Sequence, residues 1–188
     1  TCEALEARMR EILDELSRYG LARRAHAQMF VDVCHVYSSL REASVREIKR
    51  ALEIARKLEA DFVTIHPGYA STALEREEML RILRPSLREI LKAAESNGLE
   101  VGVENLHGTH FNKVETFKLL FDDPEFAELK AVLDLAHASI GKSDPPSAFL
   151  EALRDRIAHV HLSDNLGERD DHLPLGAGRL DYAELLKL

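Results

Sequence analysis

Tryptophan is absent from this sequence, cysteine is rare, and no apolar run approaches the length of a membrane-spanning segment. The 188 residues include two cysteines, Cys2 and Cys34, so no disulfide framework is indicated and a reducing compartment is expected. A helix that crosses a bilayer needs roughly 20 consecutive apolar residues. The opening segment TCEALEARMREILDEL is charged and does not resemble a signal peptide. We therefore expect a cytoplasmic protein that has no membrane partner.

Basic residues are outnumbered by acidic ones, and two common classes of catalytic motif are missing. Lysine and arginine total 25 against 33 aspartates and glutamates, for a net charge of −8. Proteins that bind nucleic acid usually carry a basic face, so the composition does not favour that class. The sequence has neither a glycine-rich phosphate loop nor a nucleophile elbow. Its length and 45% hydrophobic content suit one domain over residues 1–188.

Helix and strand patterns alternate along the chain, which is typical of a parallel α/β fold. Five short apolar runs are predicted as strands, at 29–35, 62–66, 100–104, 131–134 and 157–162. Five strands do not close an eight-stranded barrel. We therefore predict an incomplete TIM (β/α)8-type barrel that contains about strands three to seven. A doubly wound open sheet is the alternative, but such sheets gather their ligands at one switch point.

Each of the five runs has a residue of a metal-ligand type at its end or one position before it. These residues are His35, His66, Glu104, Asp134 and His161. They follow one another at intervals of roughly 30 residues, the length of one βαβ unit. Barrel enzymes place their chemistry at the carboxyl ends of the strands, so we expect one shared site. The predicted strands contain no lysine or arginine, which favours a metal as the counter-charge for a buried Glu104.

Further metal-ligand types lie in the loops that follow the predicted strands. Asp134 and His137 are three residues apart, so a helical bend would turn both toward one cavity. Asp170 and His172 are two apart in an extended loop, a spacing that lets both reach one metal ion. The glycines of LGAG then allow a tight return toward the next element. All four are predicted metal ligands.

Other polar residues near the predicted strand ends receive different assignments. Asn105, His107 and His110 follow the Glu104 strand and are predicted to contact substrate. His26 precedes the first predicted strand and is assigned a structural role. His159 is placed on the opposite side of its strand from the site and is assigned to packing.

The combined pattern resembles the xylose isomerase-like TIM barrel superfamily over about residues 28–182. The matching motifs are strand-end His35, HPG at 66–68, EN at 104–105, D-x-x-H at 134–137, H-x-x-D at 161–164 and D-x-H…G-x-G at 170–178. The superfamily contains sugar isomerases and epimerases and also the endonuclease IV class of abasic-site nucleases. The resemblance implies a metal-dependent enzyme on a barrel scaffold.

For the isomerase branch, the resemblance implies one divalent metal held by a Glu, Asp, His, Glu set. Three members map to Glu104, Asp134 and His161, and the fourth would be a glutamate on an eighth strand. Glu104 would also be one of two groups that move a proton between adjacent carbons. The implied metal is zinc, manganese, cobalt or magnesium, and the implied partner is a small sugar or sugar phosphate.

For the nuclease branch, the resemblance implies a three-zinc cluster and a DNA partner. Its available positions match His35, His66, Glu104, Asp134, His137, His161, Asp170 and His172. The nuclease class differs from this chain in the loop after Glu-Asn, at Ala136 and at 163–166, so we favour the isomerase branch. A non-catalytic metal-binding barrel is a second alternative. Exposed edges of an incomplete sheet would also allow a homo-oligomer.

Overall fold

The computed structural model describes residues 2–69 and 74–187. The helices are α1 (Cys2–Ala7), α2 (Met9–Ser17), α3 (Ser38–Lys57), α4 (Arg76–Asn97), α5 (Val114–Phe121), α6 (Pro146–Leu153) and α7 (Tyr182–Leu185). The strands are β1 (Arg24–His26), β2 (Phe62–Ile65), β3 (Glu100–Glu104), β4 (Lys130–Asp134) and β5 (Ile157–His161). Short 3₁₀ turns occur at His110–Asn112, Pro124–Phe126 and His137–Ser139.

The five strands form one parallel sheet in the order β1-β2-β3-β4-β5. Neighbouring strands in the sheet are also neighbours in the chain, and helices α3 to α6 connect β1 through β5. This is the strand order of a barrel segment and not that of a doubly wound sheet, whose order reverses at a switch point. The predicted incomplete barrel is confirmed.

The central strands are buried on both faces, as their unbroken apolar sequences predict. All four residues of β2 are buried, as are the last four residues of β3 and of β4. Helices α3 and α4 cover the outer face with residues such as Ile48, Leu52, Leu83 and Leu87. No described helix has both the length and the apolar content that a membrane span requires.

The inner face of the sheet is tightly filled beneath the strand ends. A Cβ on Gly102 would lie 2.5 Å from Phe62 Cζ and 2.6 Å from Val132 Cγ2, and real Cβ atoms do not approach other atoms so closely. Phe62 also lies under the Arg24 guanidinium, 5.0 Å from the ring centroid. Because residue 102 is glycine, the Phe62 ring can pack against β3 and fill the interior below the polar residues.

The prediction of a strand at 29–35 is wrong, because the first strand is Arg24–His26. The run lies in a loop that is only partly buried, since Met29 is 52% exposed and Phe30 is 95% exposed. Val33 and Cys34 are fully buried, while Asp32 folds the chain back by accepting hydrogen bonds from the backbone N–H groups of Cys34 and Tyr69. A continuous apolar run therefore establishes neither that the whole segment is buried nor that it pairs in a sheet.

Candidate metal centre

The carboxylate of Glu104 lies at the centre of a ring of histidines. Glu104 ends β3 and is 2% exposed. Its Oε2 lies 3.0 Å from His26 Nε2 and 3.1 Å from His66 Nε2. Its Oε1 lies 2.9 Å from His161 Nδ1 and 3.4 Å from His137 Nδ1. One buried carboxylate thus contacts four imidazoles.

These contacts follow from the position of each residue at the end of a parallel strand. His26, Glu104, Asp134 and His161 end β1, β3, β4 and β5, and His66 directly follows β2. Parallel strands place their carboxyl ends at the same edge of the sheet, so the five side chains converge there. We call His26, His66, Glu104, Asp134 and His161 the strand-end cluster.

Two histidines of the strand-end cluster are oriented by contacts on the far side of the ring. His26 Nδ1 lies 2.7 Å from the Ala27 carbonyl oxygen, and His66 Nδ1 lies 3.4 Å from the Tyr69 hydroxyl. In both rings Nε2 is left to face Glu104. Metal-binding histidines are commonly fixed in this way, with one ring nitrogen held by an outer partner.

Asp134 and His137 are joined by the 3₁₀ turn that follows β4. Asp134 Oδ1 accepts a hydrogen bond of 2.8 Å from the backbone N–H of His137, so the predicted bend after the strand is present. His137 Nδ1 lies 2.9 Å from the Asn105 carbonyl oxygen, and its Nε2 lies 3.2 Å from Asp170 Oδ2. The ring therefore links the end of β4 to the loop after β5.

That loop is held by a second buried carboxylate, Asp164. Its Oδ1 accepts hydrogen bonds from the backbone N–H groups of Asn165 and Leu180, and its Oδ2 from those of Gly176 and Gly178. A Cβ on Gly178 would lie 2.3 Å from Asp164 Oδ1, so only glycine allows this approach. Asp164 closes the loop that carries Asp170 and His172.

Burial and neighbouring charges shift the pKa values of the residues at this site in different directions. Burial acts to raise the pKa of Glu104, but the hydrogen bonds from His161, His26 and His66 outweigh it and lower that pKa. Burial also raises the pKa of Asp134. Burial acts to lower the pKa of His137, whereas the hydrogen bond to Asp170 and the nearby carboxylates raise it to about 9. The charged forms of Glu104 and His137 are therefore stabilised, whereas burial disfavours the charged form of Asp134.

A cavity of about 700 Å³ opens above these residues. Its lining includes the whole strand-end cluster together with Tyr69, Ser163, Asp170 and His172. Among the described residues that line it, none is a lysine or an arginine. Its volume lies in the range of ordinary small-molecule sites.

Most of the predicted ligands are brought together at this cavity. They are His66, Glu104, Asp134, His137, His161, Asp170 and His172. His35 is not among its lining residues. The His35 ring stacks on Tyr37 at a centroid distance of 5.5 Å and accepts a hydrogen bond from the backbone N–H of Tyr37. The error in the first strand explains this, because His26 occupies the strand end that was assigned to His35.

The predicted substrate residues lie at three different places. His107 lines the cavity. The amide of Asn105 bridges β3 and β4, since it donates to the Asp134 carbonyl at 2.9 Å and accepts from the Asp134 N–H at 2.6 Å. His110 Nε2 lies 2.7 Å from the Leu74 carbonyl oxygen and faces a neighbouring groove. Their roles in substrate binding remain predictions.

Sequence reasoning misplaced two histidines. His26 was assigned a structural role, but it contacts Glu104. Its spacing of 40 residues from His66 (66 − 26), roughly one βαβ unit, was the available signal that it ends a strand. His159 does not point away from His161, because residues two apart on a strand share a face. Their ring centroids are 5.1 Å apart.

The donors present fit divalent transition-metal ions. Imidazole and carboxylate are ligand types that such ions share. His107 Nδ1 and Asp170 Oδ1 are shielded from water and have no hydrogen-bond partner among the described residues. Buried polar atoms are normally paired, so two orphans beside one cavity indicate a missing ligand.

Comparison with known proteins identifies the family. Residues 3–188 match the family described as xylose isomerase-like TIM barrel. The chain belongs to this family. The matched region contains the strand-end cluster, Asp170 and His172.

Curated relatives of the chain include different activities. A protein of unassigned function from Methanocaldococcus jannaschii is 31% identical over 152 residues, which are 79% of this chain and 57% of that protein. Fructoselysine 3-epimerase of Escherichia coli O157:H7 is 24% identical over 79% of this chain and 54% of its own length. Probable endonuclease 4 of Thermotoga maritima is 28% identical over 87% and 63%. The chain spans little more than half the length of these relatives.

Solved structures confirm the barrel architecture. A D-tagatose 3-epimerase-like protein superposes with a TM-score of 0.84 at 28% identity, covering 95% of this chain and 70% of that one. The IolI protein with a bound zinc atom superposes with a TM-score of 0.80 at 18% identity, covering 98% and 70%. The second likeness, at this identity, concerns the fold alone.

Proposed function

We propose that the protein is a divalent-metal-dependent isomerase or epimerase that acts on a small sugar or a related hydroxyketone. The observation that carries the proposal is the cavity above Glu104. It has the volume of a single-sugar site and is lined by carboxylates and imidazoles, without lysine or arginine among its described lining residues. Such a lining suits a neutral polyhydroxy substrate better than a polyanion, whose phosphates usually contact basic side chains.

The named relatives support the reaction class. Fructoselysine 3-epimerase and the D-tagatose 3-epimerase-like protein are named for inversion beside a sugar carbonyl. The imidazole and carboxylate donors that line the cavity support the choice of a divalent transition metal. Endonuclease 4 belongs to the same set of relatives, so family membership alone does not choose the activity.

The strand-end cluster would hold the metal ion. Glu104, Asp134 and His161 supply two carboxylates and an imidazole, with His161 Nδ1 2.9 Å from Glu104 Oε1 and 3.8 Å from Asp134 Oδ2. When bound, the metal polarises the substrate carbonyl and hydroxyl oxygens and makes the adjacent carbon more acidic. His26 and His66 hold the other oxygen of Glu104 in place.

Glu104 is the proposed proton carrier of the reaction. Its carboxylate is central in the cavity, and its orientation is fixed by contacts to both oxygens. In the proposed reaction it takes the proton from the carbon beside the substrate carbonyl and returns it there or to the neighbouring atom. The resemblance assigns the partner acid to a further glutamate on an eighth strand, beyond the five strands described.

Proton exchange at the carbon beside the carbonyl is the first half of the proposed reaction, and testing it requires only one proton carrier. The chain, loaded with manganese or cobalt, is incubated with a ketohexose in deuterium oxide, and loss of proton signals beside the carbonyl is followed by NMR. We expect exchange with the wild type and a loss of about 100- to 10,000-fold with Glu104→Gln.

Glu100→Gln is the matched control, since Glu100 begins the same strand and is exposed. It should exchange like the wild type. Exchange by the Glu104→Gln protein at the wild-type rate would contradict the role of Glu104. If neither protein shows exchange with any of a panel of ketoses and aldoses, the isomerase proposal fails.

An abasic-site nuclease is the second candidate, favoured by the number of ligand-type residues. Corrected for His26, the eight positions of the nuclease pattern all lie at this one cavity. Cleavage of an abasic duplex by the zinc-loaded chain, lost in Glu104→Gln, would support it over the isomerase. If neither exchange nor cleavage occurs while metal binds, the non-catalytic barrel is supported instead.

A further inference from the structure

We propose that His107 is a metal ligand and that it forms, with His137 and Asp170, a second metal position distinct from the strand-end cluster. These three residues are called the loop group, because each lies after a strand and not within one. The inference needs only that the protein binds metal and is independent of which reaction the cavity supports.

Geometry brings the three donors together. A ligand atom from each of His107, His137 and Asp170 lies within 4.8 Å of the others. The His107 and His137 ring centroids are 5.0 Å apart, and His137 Nε2 lies 3.2 Å from Asp170 Oδ2. Metal–ligand bonds of about 2 Å place donors roughly 3 to 3.5 Å apart around one ion, so small side-chain rotations complete the site.

The hydrogen bonds of His137 assign this ring to the loop group. Its Nδ1 lies 2.9 Å from the Asn105 carbonyl oxygen, which can only accept a proton, so Nδ1 is the protonated nitrogen. Nδ1 is also the atom nearest Glu104, at 3.4 Å, and a protonated nitrogen does not bind metal. Nε2 lies 3.2 Å from Asp170 Oδ2 and donates a proton to it, so Nε2 is the nitrogen at which a metal ion could replace a proton beside Asp170. The Asn105 carbonyl thus holds the ring in the orientation that directs Nε2 to the second position.

Two members of the loop group each have an unpaired buried atom. His107 Nδ1 and Asp170 Oδ1 are both inaccessible to water and have no hydrogen-bond partner among the described residues. An unpaired buried polar atom costs roughly 1 to 3 kcal/mol. A cation that both atoms can approach would remove that cost, and no described lysine or arginine lines the cavity to do so.

His107 and His172 are alternative third ligands, and the structure favours His107. His172 Nε2 lies 3.0 Å from Asp170 Oδ2, but its side chain is 68% exposed and it has φ of 48°. His107 lies under the loop, with its ring against His137. Two imidazoles and one carboxylate leave an open coordination position and select a transition metal over magnesium or calcium.

The test counts metal ions after the strand-end cluster has been disabled. Metal-free Glu104→Gln protein is titrated with cobalt(II) by calorimetry, followed by the double variants Glu104→Gln/His107→Ala and Glu104→Gln/His110→Ala. We expect one cobalt per chain for Glu104→Gln and for the His110 double variant. The His107 double variant should bind at least about tenfold more weakly. His110 is the matched control, because it lies in the same loop and faces away from the cavity.

Equal affinity in the His107 and His110 double variants would overturn the proposal, as would the absence of cobalt binding to Glu104→Gln. Loss of the cobalt in Glu104→Gln/His172→Ala, but not in the His107 variant, would assign the ligand to His172 instead. Circular dichroism and thermal melts of the metal-free variants establish that each is folded. A direct readout uses nitrogen NMR: a His107 ring nitrogen should shift on adding zinc, and an unchanged signal would also contradict the assignment.

Discussion

The strand-end cluster and the loop group use the same side-chain types but are held in place in different ways. Glu104 is an integral part of a buried strand and is 2% exposed. The side chain of Asp170, in contrast, is 20% exposed and lies on a loop. The first group is positioned by hydrogen bonds between strands, and the second depends on Asp164 and its four backbone partners.

This difference indicates how a single cavity can contain one rigid and one adjustable half. Strands paired on both sides leave little freedom at their ends, so Glu104 and Asp134 hold their positions with or without a ligand. The loop after β5 is held by the Asp164 side chain and by a few backbone hydrogen bonds, such as those between Asp164 and Leu173, so it can open at the cost of these hydrogen bonds. We therefore expect ligand binding to order the loop group more than the strand-end cluster.

Removing a strand-end ligand should have the largest effect. His161→Ala deletes an imidazole that contacts both Glu104 and Asp134, and we expect metal affinity of the strand-end cluster to fall by about 100-fold or more. Calorimetric titration with cobalt(II) measures this metal affinity. His159→Ala, two residues earlier on the same strand, is the control and should bind nearly as the wild type does. Unchanged affinity in His161→Ala would remove it from the ligand set.

Replacing Asp164 should release the loop. Asp164→Asn turns an NH₂ group toward backbone N–H donors, and we expect the free energy of unfolding to fall by about 2 kcal/mol. Metal affinity should fall at the loop group and not at the strand-end cluster. Denaturant titration measures the first effect and cobalt titration the second. Asp155→Asn, at an exposed position, should change neither.

The Asp164 contribution should also depend on pH. Burial acts to raise the pKa of Asp164, but hydrogen bonds from the N–H groups of Leu180, Gly178, Asn165 and Gly176 outweigh it and lower that pKa. The unfolded carboxyl titrates near 3.9. The stabilisation is therefore fully present above about pH 5 and is lost as the pH falls through the folded pKa. The difference in stability between wild type and Asp164→Asn should shrink below about pH 4, and a constant difference would contradict this.

Filling the interior below the cluster should destabilise the protein moderately. Gly102→Ala places a methyl group against Phe62 and Val132, and overpacking of this kind costs about 1 to 3 kcal/mol. Thermal melts should show the loss. If Phe62 moves toward the site, the strand-end cluster weakens as well, whereas unchanged stability would mean that the interior has room.

The smallest effect is expected at His35. His35→Ala removes contacts to Tyr37 outside the cavity, so the number of metal ions bound should not change and stability should change by about 0.5 kcal/mol or less. His26→Ala is the comparison, and it should weaken metal binding because its Nε2 contacts Glu104. A metal lost in His35→Ala and retained in His26→Ala would place His35, and not His26, at the metal site.

The sequence by itself determined the parallel order of the strands and the placement of Glu104, Asp134 and His161 at their ends. Short apolar runs separated by helices leave few arrangements, and strand ends in a parallel sheet converge without further information. An Asn-Gly pair is likewise typical of a helix end, and α4 ends at Asn97 with Gly98 at φ of 67°. These features depend on local patterns, which a sequence displays directly.

Only the tertiary structure decided the rest of the site. Whether 24–26 or 29–35 pairs with β2 depends on hydrogen bonds to a distant strand, and the more apolar segment is the loop. The orientation of the His137 ring and the unpaired atoms of His107 and Asp170 arise from contacts between residues roughly 30 to 60 positions apart, which spacing along the chain does not encode. The pattern of strands in the sequence predicts the strand-end cluster. The loop group, in contrast, comes together only when the hydrogen bonds of Asp164 hold the loop after β5.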